Sequence, residues 1–164
     1  EEQIFRVNQM QMKTNQFNIT TQRFSEEELK LKLKMKNFNG FTFSLKDKFA
    51  KHGLISYIEY EINNKELVIC DWLMSCRVFS RTLEEYIMNF ISTKALEKDK
   101  EFITLNYIET NKNLIMRDIL KKIGFQLKNV ENKKEIWEIS AQKSLRLKSF
   151  IDLNLSSILQ ILFK

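Results

Sequence analysis

The chain has 164 residues, of which 43% are hydrophobic, with 27 Lys plus Arg against 21 Asp plus Glu, three Gly and no Pro. This length fits one domain with enough apolar surface for a core, which excludes disordered, collagen-like and disulfide-stapled classes. No apolar run approaches the roughly 20 residues that cross a bilayer, and the acidic start lacks the layout of a signal peptide. We therefore predict a cytoplasmic protein with no membrane partner. Because the chain starts at Glu1 rather than Met, we expect it to be a piece of a longer protein.

The net charge of +6 raises the question of nucleic-acid binding, because clustered basic side chains release counterions from phosphates. Lysine outnumbers the base-reading arginine, and much of the excess lies in residues 30–51, next to acidic residues at 26–28 and 59–61. We predict no nucleic-acid partner. The lysine-rich face of residues 30–36 is expected to be solvated or to meet an acidic protein.

Two elements are predicted before the first glycine. Residues 17–24 are rich in Thr and Ile and favour a strand. Over residues 26–36 Leu alternates with Lys as in a strand, but Ser25 and Glu28 form a helix capping box. Because Glu, Leu and Lys also favour helices, we predict a helix there.

Three strands are predicted next. Asn39-Gly40 is a turn signal before a strand over residues 41–45, and His52-Gly53 is predicted to break the chain. Residues 54–62 and 66–73 are rich in Ile, Val, Tyr and Trp and are separated by three polar residues. This spacing is typical of a β-hairpin.

Helices and strands then alternate. Apolar residues recur at helical spacing over residues 82–96, and residues 102–107 form a short apolar strand. A helix over residues 114–123 is closed by Gly124, and a strand follows at residues 136–139. The order predicts an α/β domain with a mixed central sheet flanked by helices.

We place this domain at residues 1–142. In the remaining residues, 143–164, apolar side chains recur at helical spacing. They predict an apolar helix or tail that packs on the domain or on a missing partner.

A loop and a following helix suggest an anion site. The segment Arg77-Val78-Phe79-Ser80-Arg81-Thr82 leads into the predicted helix, whose first amide groups favour an anion. It resembles the Arg/Gln-x-x-Gly-x-Gly/Ala loop of the GNAT acetyltransferase superfamily, whose amides bind the coenzyme A pyrophosphate. The resemblance implies that Arg77, Ser80, Arg81 and Thr82 line a site for coenzyme A or a phosphopantetheine thiol. Ser80 and Thr82 replace the glycines, and their Cβ atoms crowd the backbone.

A second match to GNAT domains lies downstream. Asn113 precedes the helix over residues 114–123, and Gly124-Phe125 closes it, as in that superfamily. The resemblance implies a cofactor-binding role for Asn113. Leu120 stands where many GNAT enzymes carry a tyrosine as general acid, which disfavours ordinary amine acetylation.

Several motifs resemble a narrower group, the C-terminal GNAT-like region of FkbH-like proteins. The collinear match spans about residues 9–126. Its most specific parts are Thr-Asn-Gln-Phe-Asn at residues 14–18 and Ser-Cys-Arg-Val at residues 75–78. The first motif extends from Lys13 to Thr21, and the other matching positions are Leu45-Lys46-Asp47-Lys48-Phe49, Gly53, Thr110, Lys112-Asn113, Arg117-Asp118 and Gly124-Phe125.

This resemblance implies acyl transfer. FkbH-like proteins carry an N-terminal HAD-type phosphatase domain, absent here, and load a glyceryl unit onto an acyl carrier protein in polyketide-type or related biosynthesis. A cysteine thioester is thought to carry the acyl group, and Cys76 is our candidate. A thiolate is an effective acyl acceptor, whereas the alternative is a buried strand cysteine. No cofactor is required in this scheme.

Other candidates complete the site. His52 is the only imidazole and follows Asp47, so the two are assigned to proton transfer. Asn15, Asn18 and Arg23 lie in the shared motifs and could bind substrate or hydrogen-bond the backbone of turns. With one His, a multi-histidine metal site is excluded, and we predict no metal.

Three hypotheses follow. The first is an acyltransferase in which Cys76 accepts the acyl group and His52 with Asp47 moves protons. The second is a non-catalytic GNAT-like module that docks a carrier protein or the phosphatase domain. The third is an N-acetyltransferase that uses acetyl-coenzyme A. In all three, Cys70 is expected in the core and the cysteines to be free thiols.

Overall fold

The computed structural model describes residues 2–46, 50–79, 81–151 and 158–161, the last four as backbone only. Two predicted site residues, Asp47 and Ser80, lie outside the described residues. The described elements are α1 (Glu2–Lys13), α2 (Glu26–Leu33), β1 (Phe38–Lys46), β2 (Lys51–Ile62), β3 (Glu66–Met74), a 3₁₀ turn (Cys76–Val78), α3 (Leu83–Leu96), β4 (Phe102–Ile108), α4 (Ile115–Ile123), β5 (Gln126–Glu131), β6 (Lys134–Ser140), α5 (Ala141–Ser144) and β7 (Ile158–Ile161).

The strands form one mixed sheet in the order β5-β6-β4-β3-β2-β1-β7. Strands β3 and β4 pair in parallel, with α3 as the crossover, and the other neighbouring strands pair antiparallel. This arrangement confirms the predicted mixed α/β sheet. It also confirms the hairpin of β2 and β3 and the helices α2, α3 and α4, which begin and end within a few residues of their predicted bounds.

Both faces of the central strands are covered by helices. Ile58 and Trp72 belong to a large core that includes the apolar side of α3, while Tyr57 and Leu73 pack with residues of α1 and α2. Neighbouring strand residues point to opposite faces, so one pair of strands serves both cores. The capping box of α2 is present, with the Ser25 side chain accepting from the Glu28 amide at 3.2 Å.

The predicted strand over residues 17–24 is wrong. The structure places a single β-bridge there, between Asn18 and Leu73. The backbone then turns, because the Asn18 side chain accepts from the amides of Thr20 and Thr21 and Thr21 has φ of 58°. A side chain that hydrogen-bonds its own backbone prevents a strand ladder from continuing.

The glycine signals in this region also differ from prediction. Gly40 lies inside β1 rather than in a turn. A Cβ at this position would lie 2.5 Å from Leu33 Cδ2 of α2, so the close packing of the helix favours glycine here. His52 and Gly53 lie inside β2, where the register to β1 skips His52 and Gly53 adopts φ of +68°. The predicted break is therefore a β-bulge, which redirects a side chain without ending the strand.

The predicted C-terminal helix is wrong for residues 158–161. They form β7, which pairs antiparallel with β1 from Gly40 to Phe43. The edge of β1 offered unpaired backbone groups, and an apolar segment satisfied them as a strand. The rest of that prediction at residues 152–157 and 162–164 lies outside the described residues, and the domain boundary at residue 142 stays a prediction.

Two elements had no prediction from the sequence. Helix α1 is polar on most of its surface and buries only Ile4, Val7 and Gln11. Strand β5 is exposed along its whole length, so no alternation of apolar residues marks it.

Candidate functional site

Cys76 is presented to solvent at the end of β3. It begins the 3₁₀ turn and is exposed. The Ser75 amide donates to Ile55 O at 2.9 Å, and Val78 is fully buried. With both ends of the turn held by the core, the side chain between them faces outward. The alternative of a buried strand cysteine is therefore wrong for Cys76.

Two adjoining clefts lie beside this turn. The Cys76 cleft, of about 630 Å³, is lined by residues 13–17 and 74–77. The His52 cleft, of about 350 Å³, is lined by Arg6, Gln9, Met10, Lys13, Thr14, His52, Gly53, Leu54, Ser75 and Arg77. The two share four residues, which form a common wall: Lys13, Thr14, Ser75 and Arg77.

The structure brings several predicted residues to these clefts. Cys76, Arg77 and Asn15 line the first, and His52 reaches the second through the β-bulge of β2. Arg77 Nε donates to Ser75 Oγ at 3.2 Å. Within the described residues Cys76 Sγ has no hydrogen-bond partner, and His52 lines the neighbouring cleft rather than the Cys76 cleft.

Sequence reasoning missed the contribution of α1. Arg6 and Lys13 line the clefts, yet no role was assigned to either. The only sequence signal is that Lys13 begins the shared motif at residues 13–21. Since α1 itself was not predicted, the sequence could not place Arg6 on the same helix face as Lys13, two turns away.

The sheet opens beside the Cys76 cleft and the chain itself closes the opening. The parallel pairing of β3 with β4 stops at Ile69 and Leu105. Beyond that point residues 17–20, here called the inserted segment, lie between the strands. The Met74 amide donates to Phe17 O at 3.2 Å, and the Ile108 amide donates to Ile19 O at 2.8 Å.

Asn18 and Asn113 hold the inserted segment in place. Both are buried, with exposed fractions of 1% and 0%. Asn113 Nδ2 donates to Asn18 O at 2.9 Å and to Ile108 O at 3.0 Å, while its Oδ1 accepts from the Thr110 amide at 2.7 Å. These contacts use both ends of the Asn113 amide, so its role here is to fasten backbone, and the predicted roles in cofactor and substrate binding find no free group.

Arg23 and Asn15 contact each other at the rim. Arg23 Nη2 donates to Asn15 Oδ1 at 2.8 Å, and its Nη1 donates to Met12 O at 2.9 Å. Arg23 therefore caps the carboxyl end of α1. It does not line either cleft among the described residues.

The last residue of the predicted coenzyme A loop, Thr82, contacts a later part of the chain. Thr82 adopts φ of 59°, the left-handed conformation that a glycine takes without strain. Its Oγ1 accepts from the Phe150 amide at 3.0 Å, and its carbonyl accepts from Ser149 Oγ at 3.0 Å. The backbone thus keeps a glycine-like shape, while Ser149 and Phe150 occupy the polar groups of Thr82. Arg81 is exposed beside it.

Two further residues are unsuited to chemistry. Cys70 is half-buried, and burial together with Glu61 and Glu59 raises the pKa of its thiol to about 12. The register between β2 and β3 skips Cys70, so a bulge separates it from the strand face expected for it. Leu120 is fully buried in the core.

No protein-family model and no curated protein matches the sequence. The ribosomal-protein-S18-alanine N-acetyltransferase from Escherichia coli superposes with a TM-score of 0.63 at 7% identity, over 85% of this chain and 88% of that one. The smu.2055 protein from Streptococcus mutans UA159 superposes with a TM-score of 0.63 at 13% identity, over 85% of this chain and 94% of that one. PaiA N-acetyltransferase from Thermoplasma acidophilum, in complex with coenzyme A, superposes with a TM-score of 0.58 at 15% identity, over 71% of each chain.

The chain has the GNAT acetyltransferase fold. At these identities the likeness establishes the fold and no activity. Among the described residues, no group of three His, Cys, Asp or Glu side chains could hold a metal. None of the helices in the described ranges is long and apolar enough to span a bilayer.

Proposed function

We propose that this GNAT-fold chain is the C-terminal part of an FkbH-like protein and transfers a short acyl unit, such as glyceryl, to an acyl carrier protein thiol. The observation that carries this proposal is the exposed Cys76 at a cleft whose wall holds Lys13 and Arg77. The GNAT fold supports acyl transfer in general. The carrier protein, the glyceryl unit and the HAD-type phosphatase partner follow from the motif resemblance.

The chemistry needs only a thiolate and charge stabilisation. The Cys76 thiolate attacks the carbonyl carbon of an activated donor, a C–S bond forms, and the leaving group departs with its electron pair. The carrier thiolate then attacks the same carbon, and Cys76 leaves as a thiolate. Lys13 and Arg77 would stabilise the oxyanion of each tetrahedral intermediate. His52 and Asp47 stay predicted proton carriers.

The second hypothesis, a non-catalytic docking module, has support of its own. The inserted segment closes the gap between β3 and β4, and Ser149 and Phe150 cover Thr82. A cofactor site lost in this way would leave the fold as a surface for a carrier protein or the phosphatase domain.

Intact-protein mass spectrometry separates the two hypotheses. The chain is incubated with activated acyl donors, and in parallel with the phosphatase domain, an acyl-phosphate form of phosphoglycerate and the carrier protein. We expect a hydroxylamine-labile adduct on the wild type that is lost in Cys76→Ser. The matched control Cys70→Ser removes the other thiol and should keep the adduct. If the wild type stays unmodified with all components present, the docking module replaces the acyltransferase.

A further inference from the structure

Among the described residues, the two clefts are lined by basic side chains and by no acidic side chain. Lys13 and Arg77 lie on the common wall and Arg6 lines the His52 cleft, while no Asp or Glu is among the described lining residues. Within the described residues neither Lys13 nor Arg77 has an ion-pair partner. Arg6 lies 3.9 Å from Glu2, and this exposed pair within one helix contributes little.

Within the described residues, some basic side chains away from the clefts form ion pairs. The pairs are Lys32 with Glu59, Lys94 with Glu97, Arg117 with Glu109 and Glu135, Lys122 with Glu85, and Lys128 with Glu138. Like charges held together without a counter-ion repel one another, so an anion bound among them would be stabilised.

The surroundings also suit an anion. Ser75 Oγ orients the Arg77 guanidinium, which leaves its two Nη groups available, and the Thr14 side chain lies on the same wall. The carboxyl end of α1 would repel an anion through its partial negative charge. Arg23 donates to Met12 O at that end, which offsets this repulsion.

We propose that Arg6, Lys13 and Arg77 form a binding site for the phosphate group of a small phosphorylated molecule. Two guanidinium groups and an ammonium suit a doubly charged phosphate better than a single carboxylate, because each oxygen accepts several N–H donors. Helix α1 supplies two of the three groups, so the site exists only in the folded chain. This site does not depend on whether Cys76 is acylated.

The test is NMR titration of the full chain with inorganic phosphate, 3-phosphoglycerate and glycerate, mapped on backbone amides. We expect phosphate and phosphoglycerate to shift amides near residues 6–14, 52–54 and 75–77, with phosphoglycerate the tighter ligand. Lys13→Gln and Arg6→Gln should each weaken binding about tenfold, the loss of one charge-assisted contact. The matched control Lys36→Gln removes an exposed charge outside the clefts and should leave the affinity within about twofold.

Three results would overturn the site. They are no shifts at the clefts with millimolar phosphate, glycerate binding as tightly as phosphoglycerate, and an equal loss in Lys36→Gln and Lys13→Gln. Repeating the titration on Cys76→Ser keeps this outcome separate from the acyl-transfer proposal. Phosphate binding retained in that variant supports the site even where no acyl adduct forms.

Discussion

Asp71 shows how the position of a residue in the fold changes the pKa of its side chain. It is buried in β3, its register partner on β2 is the buried Glu59, and its Oδ2 has no partner among the described residues. Burial and the Glu59 charge raise its pKa to about 7, although Thr20 Oγ1 donates to Oδ1 at 3.1 Å. The Lys32 ammonium pairs with Glu59, and its positive charge partly offsets this increase by lowering the Asp71 pKa.

The raised Asp71 pKa predicts a pH-dependent stability. Because the folded state holds a proton that the unfolded state releases near pH 4, the free energy of unfolding should fall as pH rises from about 4 to about 7. Asp71→Asn keeps the Oδ1 acceptor and removes the charge. We expect this variant to flatten that slope and to be more stable than the wild type at pH 8 by roughly 1–3 kcal/mol.

Urea denaturation at a series of pH values measures this slope. Asp99→Asn, which removes an exposed carboxylate at φ of 55°, is the control and should keep the wild-type slope. A slope unchanged in Asp71→Asn would assign the titration to another group.

At the scale of elements, the inserted segment decides the local architecture. Two strands that diverge leave unpaired amides and carbonyls, and a buried unpaired group costs free energy. Here the carbonyls of Phe17 and Ile19 accept from one amide on each side of the gap. The segment therefore stabilises the end of the sheet next to the Cys76 cleft.

Asn113→Ala tests how firmly the inserted segment is held. The substitution leaves Asn18 O and Ile108 O without their donor in a buried setting, so we expect a loss of about 2–4 kcal/mol in unfolding free energy. Hydrogen exchange at the Met74 and Ile108 amides, which the segment protects, should become faster.

The control for this prediction is Asn129→Ala on the exposed β5. Asn129 Nδ2 donates to Glu131 at 2.6 Å on the surface, so its loss should change stability by less than about 0.5 kcal/mol. Equal losses in the two variants would contradict an anchoring role for Asn113.

At the scale of the molecule, distant parts of the chain meet at the entrance of α3. Residues 147–151 run along this helix, with Asn89 Nδ2 donating to Leu147 O at 2.8 Å and Ser149 and Phe150 on Thr82. Thr82, at the end of the loop that the resemblance assigns to a pyrophosphate, thus contacts residues almost 70 positions later.

The contacts of Ser149 and Phe150 with Thr82 predict that coenzyme A does not bind saturably to the chain. Isothermal titration calorimetry at neutral pH measures the affinity, and PaiA N-acetyltransferase, whose structure contains coenzyme A, serves as the positive control. We expect heats of dilution for this chain and a binding isotherm for the control. Saturable binding to the chain would instead favour an acetyl-coenzyme A-dependent N-acetyltransferase.

The sequence alone was sufficient for the features that depend on local patterns. Apolar periodicity located α3 and α4, the capping box located α2, and the polar residues after Ile62 located the hairpin, because each signal lies within a few residues. The motif at residues 75–78 also drew attention to Cys76. Together these local features predict the mixed α/β fold.

Only the tertiary structure decided which residues meet. It placed Lys13, Arg6 and Arg77 in one cleft, brought His52 to the same cleft through a bulge, and used Asn113 to hold the inserted segment. It also made residues 158–161 an edge strand. The physical reason is that buried hydrogen bonds and charges are satisfied by whichever groups the fold brings close, and that pairing is not encoded within one stretch of sequence.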